Sequence, residues 1–215
     1  SPPLAACAER ANDLMALSGE RIADELLKLL AIPDPSPTVA IMLDHGILRG
    51  VLPEMEPGAL AGLKALVAAE AEAQVAPDAL RHLAALIPAD KLLAEKIAVR
   101  LRFSNKARRR FACAAERSGD AKPQSLAYRV GLECAVDRLL LDGRSKDAAT
   151  LLGWHVPRLP IGGGALIARG IPEGPVVAKT LRMIETRWID AGFPIGEHFH
   201  KIVAECLAEA GARPN

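Results

Sequence analysis

The sequence predicts an all-α fold, an elongated array of short helices, and three observations carry that expectation. Half of the 215 residues are hydrophobic but only 3% are aromatic. Ala and Leu make up most of the apolar set, a composition that favours helix over strand. No apolar–polar alternation runs long enough to define a strand. The 16 prolines and 17 glycines fall largely between amphipathic windows, where they stop one helix and start the next. A chain of this length buries roughly 70% of the surface its unfolded state exposes, enough for a proper core.

The elements follow in order. Leu4 to Ala16 reads as the end of a helix, with Pro2-Pro3 at its start. Ser18 is placed to N-cap the next helix, and Leu17 with Ile22 form a hydrophobic staple. Ile22, Leu26, Leu29 and Leu30 make one apolar stripe, with Arg21–Glu25 and Asp24–Lys28 as i,i+4 pairs on the rest of its surface. The run Pro33-Asp34-Pro35-Ser36-Pro37 cannot continue that helix. Thr38 to His45 is a short helix closed by Gly46, and Pro57 starts a longer one to about Ala73. Pro77-Asp78 opens another, with Leu80, Leu83, Ala84 and Ile87 inward. Asp90 can cap a helix carrying Leu92, Leu93, Ile97 and Leu101 on one side. Ser104 caps an arginine-rich helix, and residues 125–141 form one amphipathic pattern through Leu126, Val130, Ala135, Leu139 and Leu140. Ser145 to Leu152 ends at Gly153, and dense punctuation from Gly153 to Gly164 marks a bend. Helices at Pro175–Ala191 and Glu197–Ala210 complete the chain. No repeat of fixed period is present. One elongated domain or two soft-bounded ones, near 1–118 and 119–215, are expected, with a bend or subdomain boundary near 153–164.

Composition also excludes. No apolar run approaches the ~18 residues of a membrane span, and the N-terminus lacks the basic-then-apolar layout of a signal peptide. The first residue is Ser and the first Met is Met15, so the chain is expected to be an excised or processed piece. Cys7, Cys113, Cys134 and Cys206 are widely spaced, which favours buried thiols in a reducing cytoplasm over disulfides or zinc. The formal net charge is only +1, yet it is unevenly spread. Residues 1–95 carry 7 basic and 14 acidic side chains, and residues 118–215 are nearly neutral. Residues 96–117 hold Lys96, Arg100, Arg102, Lys106, Arg108, Arg109, Arg110 and Arg117 against Glu116 alone, a net of +7.

Catalytic chemistry finds no support. Metal-assisted group transfer needs paired carboxylates on a rigid scaffold, and no Asp-x-Asp occurs. Glu54-x-Glu56 lies in a proline-rich turn, and Glu70-x-Glu72 lies on a helix where i,i+2 side chains diverge, so both pairs read as solvated carboxylates. The five histidines form no metal motif, and Ser104 and Ser125 read as caps, since no nucleophile elbow exists. Gly162-Gly163-Gly164 lacks the Gly-Lys-Ser/Thr ending of a phosphate loop. It reads as a turn, with a possible role for exposed amides toward an RNA phosphate. The basic run is the best functional candidate. Lys106, Arg109 and Arg110 fall at i, i+3 and i+4, a cationic face of the kind that binds phosphates with strong salt dependence. Lys179 and Arg182 are a second, weaker pair.

The wording of Ser18-Gly19-Glu20-Arg21-Ile22, then Glu25-Leu26 and Lys28-Leu29-Leu30, resembles the last shared motif of the bacterial class II tRNA nucleotidyltransferases, the CCA-adding enzyme and poly(A) polymerase family. Gly46 through Glu54 resembles the family's next turn. Leu101 through Lys106 and Tyr128-Arg129-Val130-Gly131 resemble its body, and Leu159-Pro160-Ile161, Gly170 through Pro175 and Trp188-Ile189 resemble its tail. These segments occur in the family's order across nearly the whole chain. The resemblance implies the RNA-binding neck, body and tail of an enzyme that extends RNA 3′ ends, with Mg2+ and ATP or CTP held in an N-terminal head absent here. It implies no catalytic residue, metal or cofactor in this chain. Glu20, Arg21 and Glu25 would support nucleotide selection. RNA would be met by Arg100, Arg102, Lys106, Arg108, Arg109, Arg110, Lys179 and Arg182. The implied partners are tRNA or other RNA 3′ ends and the head domain, in the cytoplasm and with no membrane. Ala165 departs from the acidic residue that family members often carry at that helix start, and the base-reading Arg and Asp of the preceding family motif have no match. The alternatives are a stand-alone helical nucleic-acid-binding module, or a helical protein-interaction domain whose basic segment meets an acidic surface.

Overall fold

A computed structural model describes residues 19–211, which contain thirteen helices and no strand. The residues form two compact units that divide after Trp154. Leu4–Ala16, Leu17 and Ser18, with the helix end, cap and staple expected of them, lie outside the described residues.

The first unit holds ten helices: α1 (Gly19–Leu30), α2 (Ser36–Asp44), α3 (Ile47–Val51), α4 (Ala59–Ala73), α5 (Ala79–Ala85), α6 (Lys91–Arg100), α7 (Asn105–Ala115), α8 (Pro123–Val130), α9 (Leu132–Leu141) and α10 (Ser145–Ala149). Three of them, α5, α6 and α7, start at a side-chain cap. Asp78 accepts from the Leu80 and Arg81 amides at 3.0 Å, Asp90 from Leu92 and Leu93, and Ser104 from Ala107. Each such cap satisfies an amide that the helix itself leaves unpaired. On α1 the stripe residues Leu26 and Leu30 are buried with Ala23, while Lys28 pairs with Glu25 at 2.8 Å.

One core gathers α1 to α7 around Leu30, Leu48, Leu52, Leu63, Leu83, Ile97 and Phe111. Phe103 meets Phe111 edge-on, with ring centroids 5.8 Å apart. A second core joins α4 to α8, α9 and α10 through Leu66, Ala69, Leu126, Leu139 and Leu151. The amphipathic run over 125–141 is two helices rather than one. Gly131, at φ 90° and ψ 152°, breaks it, and such a conformation is easy only for glycine.

The second unit holds α11 (Gly163–Ile167), α12 (Pro175–Asp190) and α13 (Gly196–Glu209). Trp188 is its centre, stacked edge-on by Phe193 and Phe199 and donating from Nε1 to the Pro194 carbonyl at 2.9 Å. Within the glycine run only Gly163 is closely packed: a Cβ there would sit 3.1 Å from Val177 Cγ1, whereas one at Gly162 or Gly164 would meet nothing within 4 Å. Among the described residues, no helix is long and apolar enough to cross a membrane.

Candidate nucleic-acid interface

Three of the segments singled out in the sequence meet at one place, the end of α6. Gly19 starts α1 so close to this end that an added Cβ would lie 2.3 Å from the Arg100 carbonyl oxygen. The Arg100 side chain turns the other way, forking onto the Glu54 carboxylate and donating to the Val51 carbonyl at 3.1 Å. Glu54 is therefore not simply solvated; the Arg100 guanidinium holds its pKa below the usual carboxylate range. Arg100 ties the turn after α3 to the α6 end, and most of its charge is already matched.

The link from α6 to α7 is tight. The Phe103 amide returns to the Ala98 carbonyl at 2.9 Å and the Arg102 amide to Val99 at 3.1 Å, a Schellman closure. Arg102 takes the left-handed position of that closure at φ 53°, where an arginine costs more than glycine. The turn leaves Arg102, Lys106 and Arg109 exposed and Arg108 half-buried. Arg108 donates to Asn105 Oδ1 at 3.3 Å. None of these four side chains is within salt-bridge distance of a carboxylate among the described residues. Two open grooves flank α7. One, of about 620 Å³, is lined by Lys106, Arg109, Arg110, Gly131, Glu133 and the sulfur-bearing Cys113 and Cys134. The other, of about 590 Å³, is lined by Leu92, Lys96, Val99, Arg108 and Arg109. Arg109 faces both.

Arg110, next in sequence, is used differently. It bridges Asp137 at 2.8 Å, Asp78 at 2.9 Å and Glu133 at 3.0 Å. Burial works against its charge, but Asp137 and Asp78 outweigh that and hold its pKa above the ordinary guanidinium value. Asp137, 0% exposed, also receives Arg81 at 2.8 Å. Arg81 in turn reaches Glu70, which accepts from His82 Nε2 at 2.8 Å. His82 Nδ1 donates to the Leu30 carbonyl at 2.7 Å. Burial disfavours the imidazolium, yet the Glu70 carboxylate and the Leu30 carbonyl keep the His82 pKa raised. A buried ionic lattice thus joins α1, α4, α5, α7 and α9.

This lattice corrects the expectation for Glu70, which is 3% exposed and not solvated. Glu72 accepts from the Ser145 hydroxyl at 2.6 Å. A signal for Glu70 was present in the sequence: Leu63, Leu66, Glu70 and Ala73 follow one helical stripe, which carries the carboxylate inward. Arg81 and His82, side by side among Leu80, Leu83 and Ala84, are the matching cationic signal.

Glu20, Arg21 and Glu25 are exposed on α1. Arg21 and Glu25 rim an apolar groove of about 150 Å³ floored by Ile22, Leu26, Leu29, Met42 and Leu48. Lys179 and Arg182 are exposed on α12 of the second unit. The cysteine expectation is also corrected: Cys113 and Cys134 are joined by a disulfide, while Cys206 is a buried free thiol. Wide separation in sequence concealed this pair, because the end of α7 packs against the start of α9. Among the described residues, no group of three or more His, Cys, Asp or Glu side chains is placed to hold a metal ion.

Residues 4–58 match the family model described as "Probable RNA and SrmB- binding site of polymerase A". The match supports a relationship to the poly(A) polymerase and CCA-adding family, and with it an RNA partner. A search of curated proteins found no match. The described part of the matched segment, 19–58, carries 3 basic and 7 acidic side chains. It docks onto the basic turn through Gly19 and Glu54 rather than offering a cationic surface of its own.

Proposed function

We propose that this chain is the RNA-holding helical portion of a bacterial class II tRNA nucleotidyltransferase or poly(A) polymerase that works in the cytoplasm. In this reading a separate head domain supplies the metal ions, the ATP or CTP and the transfer chemistry. The family match and the ordered motif resemblance support it. The observation that carries the RNA part is the α6–α7 turn and the start of α7, where Arg102, Lys106 and Arg109 are exposed and, with the half-buried Arg108, have no carboxylate within salt-bridge distance among the described residues. Such a face binds backbone phosphate by displacing counterions. Duplex RNA is recognised largely through shape and backbone contact, so tRNA is the fitting ligand class. Arg100 and Arg110 serve the turn by holding it in place, and Lys179 with Arg182 add a second contact. Glu20, Arg21 and Glu25 stand on the helix that would brace nucleotide selection.

The test is a filter-binding titration of the chain with tRNA at low and moderate salt, alongside a nucleotide-incorporation assay. Affinity is expected to fall steeply with salt, and replacing Lys106 and Arg109 by Glu should reduce the magnitude of the salt slope by at least about one per charge removed. Incorporation of labelled CTP or ATP by the chain alone would refute the placement of chemistry in a head domain. A second reading, a helical interaction domain for an acidic protein, draws on Leu92 and Val99, which are 66% and 61% exposed beside Lys96 and Arg108. RNA binding that is absent or indifferent to salt would favour it.

A further inference from the structure

Two sulfur atoms sit on the wall of the larger cationic groove, and nothing in the RNA-binding reading uses them. Cys113 lies in the last turn of α7 and is half-buried, whereas Cys134 lies in the first turn of the ten-residue α9 and is 6% exposed. Both line the groove with Lys106 and Arg109. We propose that Cys113 and Cys134 are a redox-modification site, a dithiol closed by a peroxide or a glutathione-class disulfide and reopened by thiols, and that its state sets the grip of this groove on RNA. The second clause rests on the RNA-binding reading above; the first does not.

The surroundings are those of a reactive pair. Arg138 donates from Nε to the Cys113 carbonyl at 2.7 Å and places Nη2 at 3.3 Å from Cys113 Sγ. A guanidinium on the sulfur stabilises the thiolate, which is the form that attacks. Cys134 stands where the α9 amides point, and positive potential there favours its thiolate too. Cys206 differs in burial alone: it is fully buried, and burial outweighs the neighbouring Arg187 and pushes its thiol pKa up.

The steps balance. With a peroxide, the Cys113 thiolate attacks one oxygen, the O–O bond breaks, and a sulfenic acid and hydroxide result. The Cys134 thiolate then attacks the Cys113 sulfur, the S–O bond breaks, and a second hydroxide leaves as the S–S bond forms. The two thiols lose two electrons and two protons, and the peroxide becomes two waters. With a glutathione disulfide, Cys113 displaces one glutathione thiolate to give a mixed disulfide, and Cys134 displaces the second. Two glutathione thiols reverse the sequence.

Reduction leaves the fold held. Arg110 on Asp137, and Arg138 on Glu116 and the Cys113 carbonyl, still tie α7 to α9. What reduction removes is the covalent tie between Cys113 and Cys134, 21 residues apart, so the groove wall that includes Gly131 loses one constraint while α8 stays packed in the second core. The closed form therefore presents a more preorganised groove.

The whole chain is equilibrated in glutathione buffers of rising oxidised-to-reduced ratio, quenched with acid, alkylated and mapped by mass spectrometry. Cys113 and Cys134 should pass together from alkylated to linked within the series, while Cys206 never links. A pair still alkylated at the most oxidising ratio, or still linked at the most reducing one, overturns the redox site. In parallel, tRNA is titrated against both forms, with the oxidised chain expected to bind about threefold more tightly. The Cys113→Ser, Cys134→Ser double variant should show one affinity in both buffers. Equal binding by the two wild-type forms overturns the coupling. If neither form binds RNA, the interface reading fails, and the alkylation series still decides the redox site on unmodified wild-type protein.

Discussion

The buried lattice around Asp137 and the exposed turn around Arg102 draw on the same residue type and put it to opposite uses. Arg81 and Arg110 are enclosed by Glu70, Asp137 and Asp78, so their charges stabilise helix packing and contribute little field outside. Arg102, Lys106 and Arg109 lie in the open, where a charge contributes little to stability and is free to meet phosphate. Arg109 and Arg110 are consecutive, yet they fall on opposite sides of this divide. The comparison shows that a dense basic segment reports both a fold and a surface, and that the side of the helix decides which.

The sharpest way to break the comparison is at Asp137. Asp137→Ala leaves two buried guanidinium groups short of a partner, and breaking a buried pair of this kind costs about 3–5 kcal/mol. Urea unfolding of the variant should show that loss; a change within error would mean the lattice is not the internal brace described. Gly19→Ala comes next. Its Cβ cannot fit against the Arg100 carbonyl without movement of one backbone, and overpacking of this kind costs roughly 1–3 kcal/mol. Thermal melting would report it, and an unchanged midpoint would remove Gly19 from the junction.

A gentler probe of the lattice is pH. The folded state holds the His82 pKa above its ordinary value, so its stabilisation is full below about pH 6.5 and is lost as pH rises through the shifted pKa. Unfolding free energy measured from about pH 6 to about pH 8 should therefore decline in the wild type. His82→Gln should lose that part of the decline; a parallel curve would deny the ring its double-donor role. On the exposed side, Arg102→Gly relieves the left-handed backbone and should stabilise the chain by about 1 kcal/mol or less while weakening RNA binding. Smallest of all, Lys106→Ala and Arg109→Ala should leave stability within about 0.5 kcal/mol. A larger destabilisation would show that these side chains serve the fold after all.

Much of the fold was legible because its signals are local. Asp78, Asp90 and Ser104 cap the helices they precede, since a short polar side chain before an apolar run has few other uses. The stripe on α1 buries as its spacing implies. The basic turn was legible as a charge excess, but its internal division was not. Which arginines meet carboxylates depends on α9 lying against α7, and Asp137 is 27 residues from Arg110. The Cys113–Cys134 link was hidden for the same reason. The break at Gly131 is hidden inside the 125–141 pattern because apolar spacing continues on both sides of it. Periodicity records which faces are buried and is silent about a break that preserves the face.

Helix α4 contributes Leu63 to one core and Leu66, Ala69 and Ala73 to the other. A shared wall of this kind denies either core a private melting transition. Amide hydrogen exchange across residues 59–141 should accordingly report a single opening event, with α7 and α9 protected to the same free energy. A ligand gripping the basic turn would then slow exchange in the far core, which it never touches.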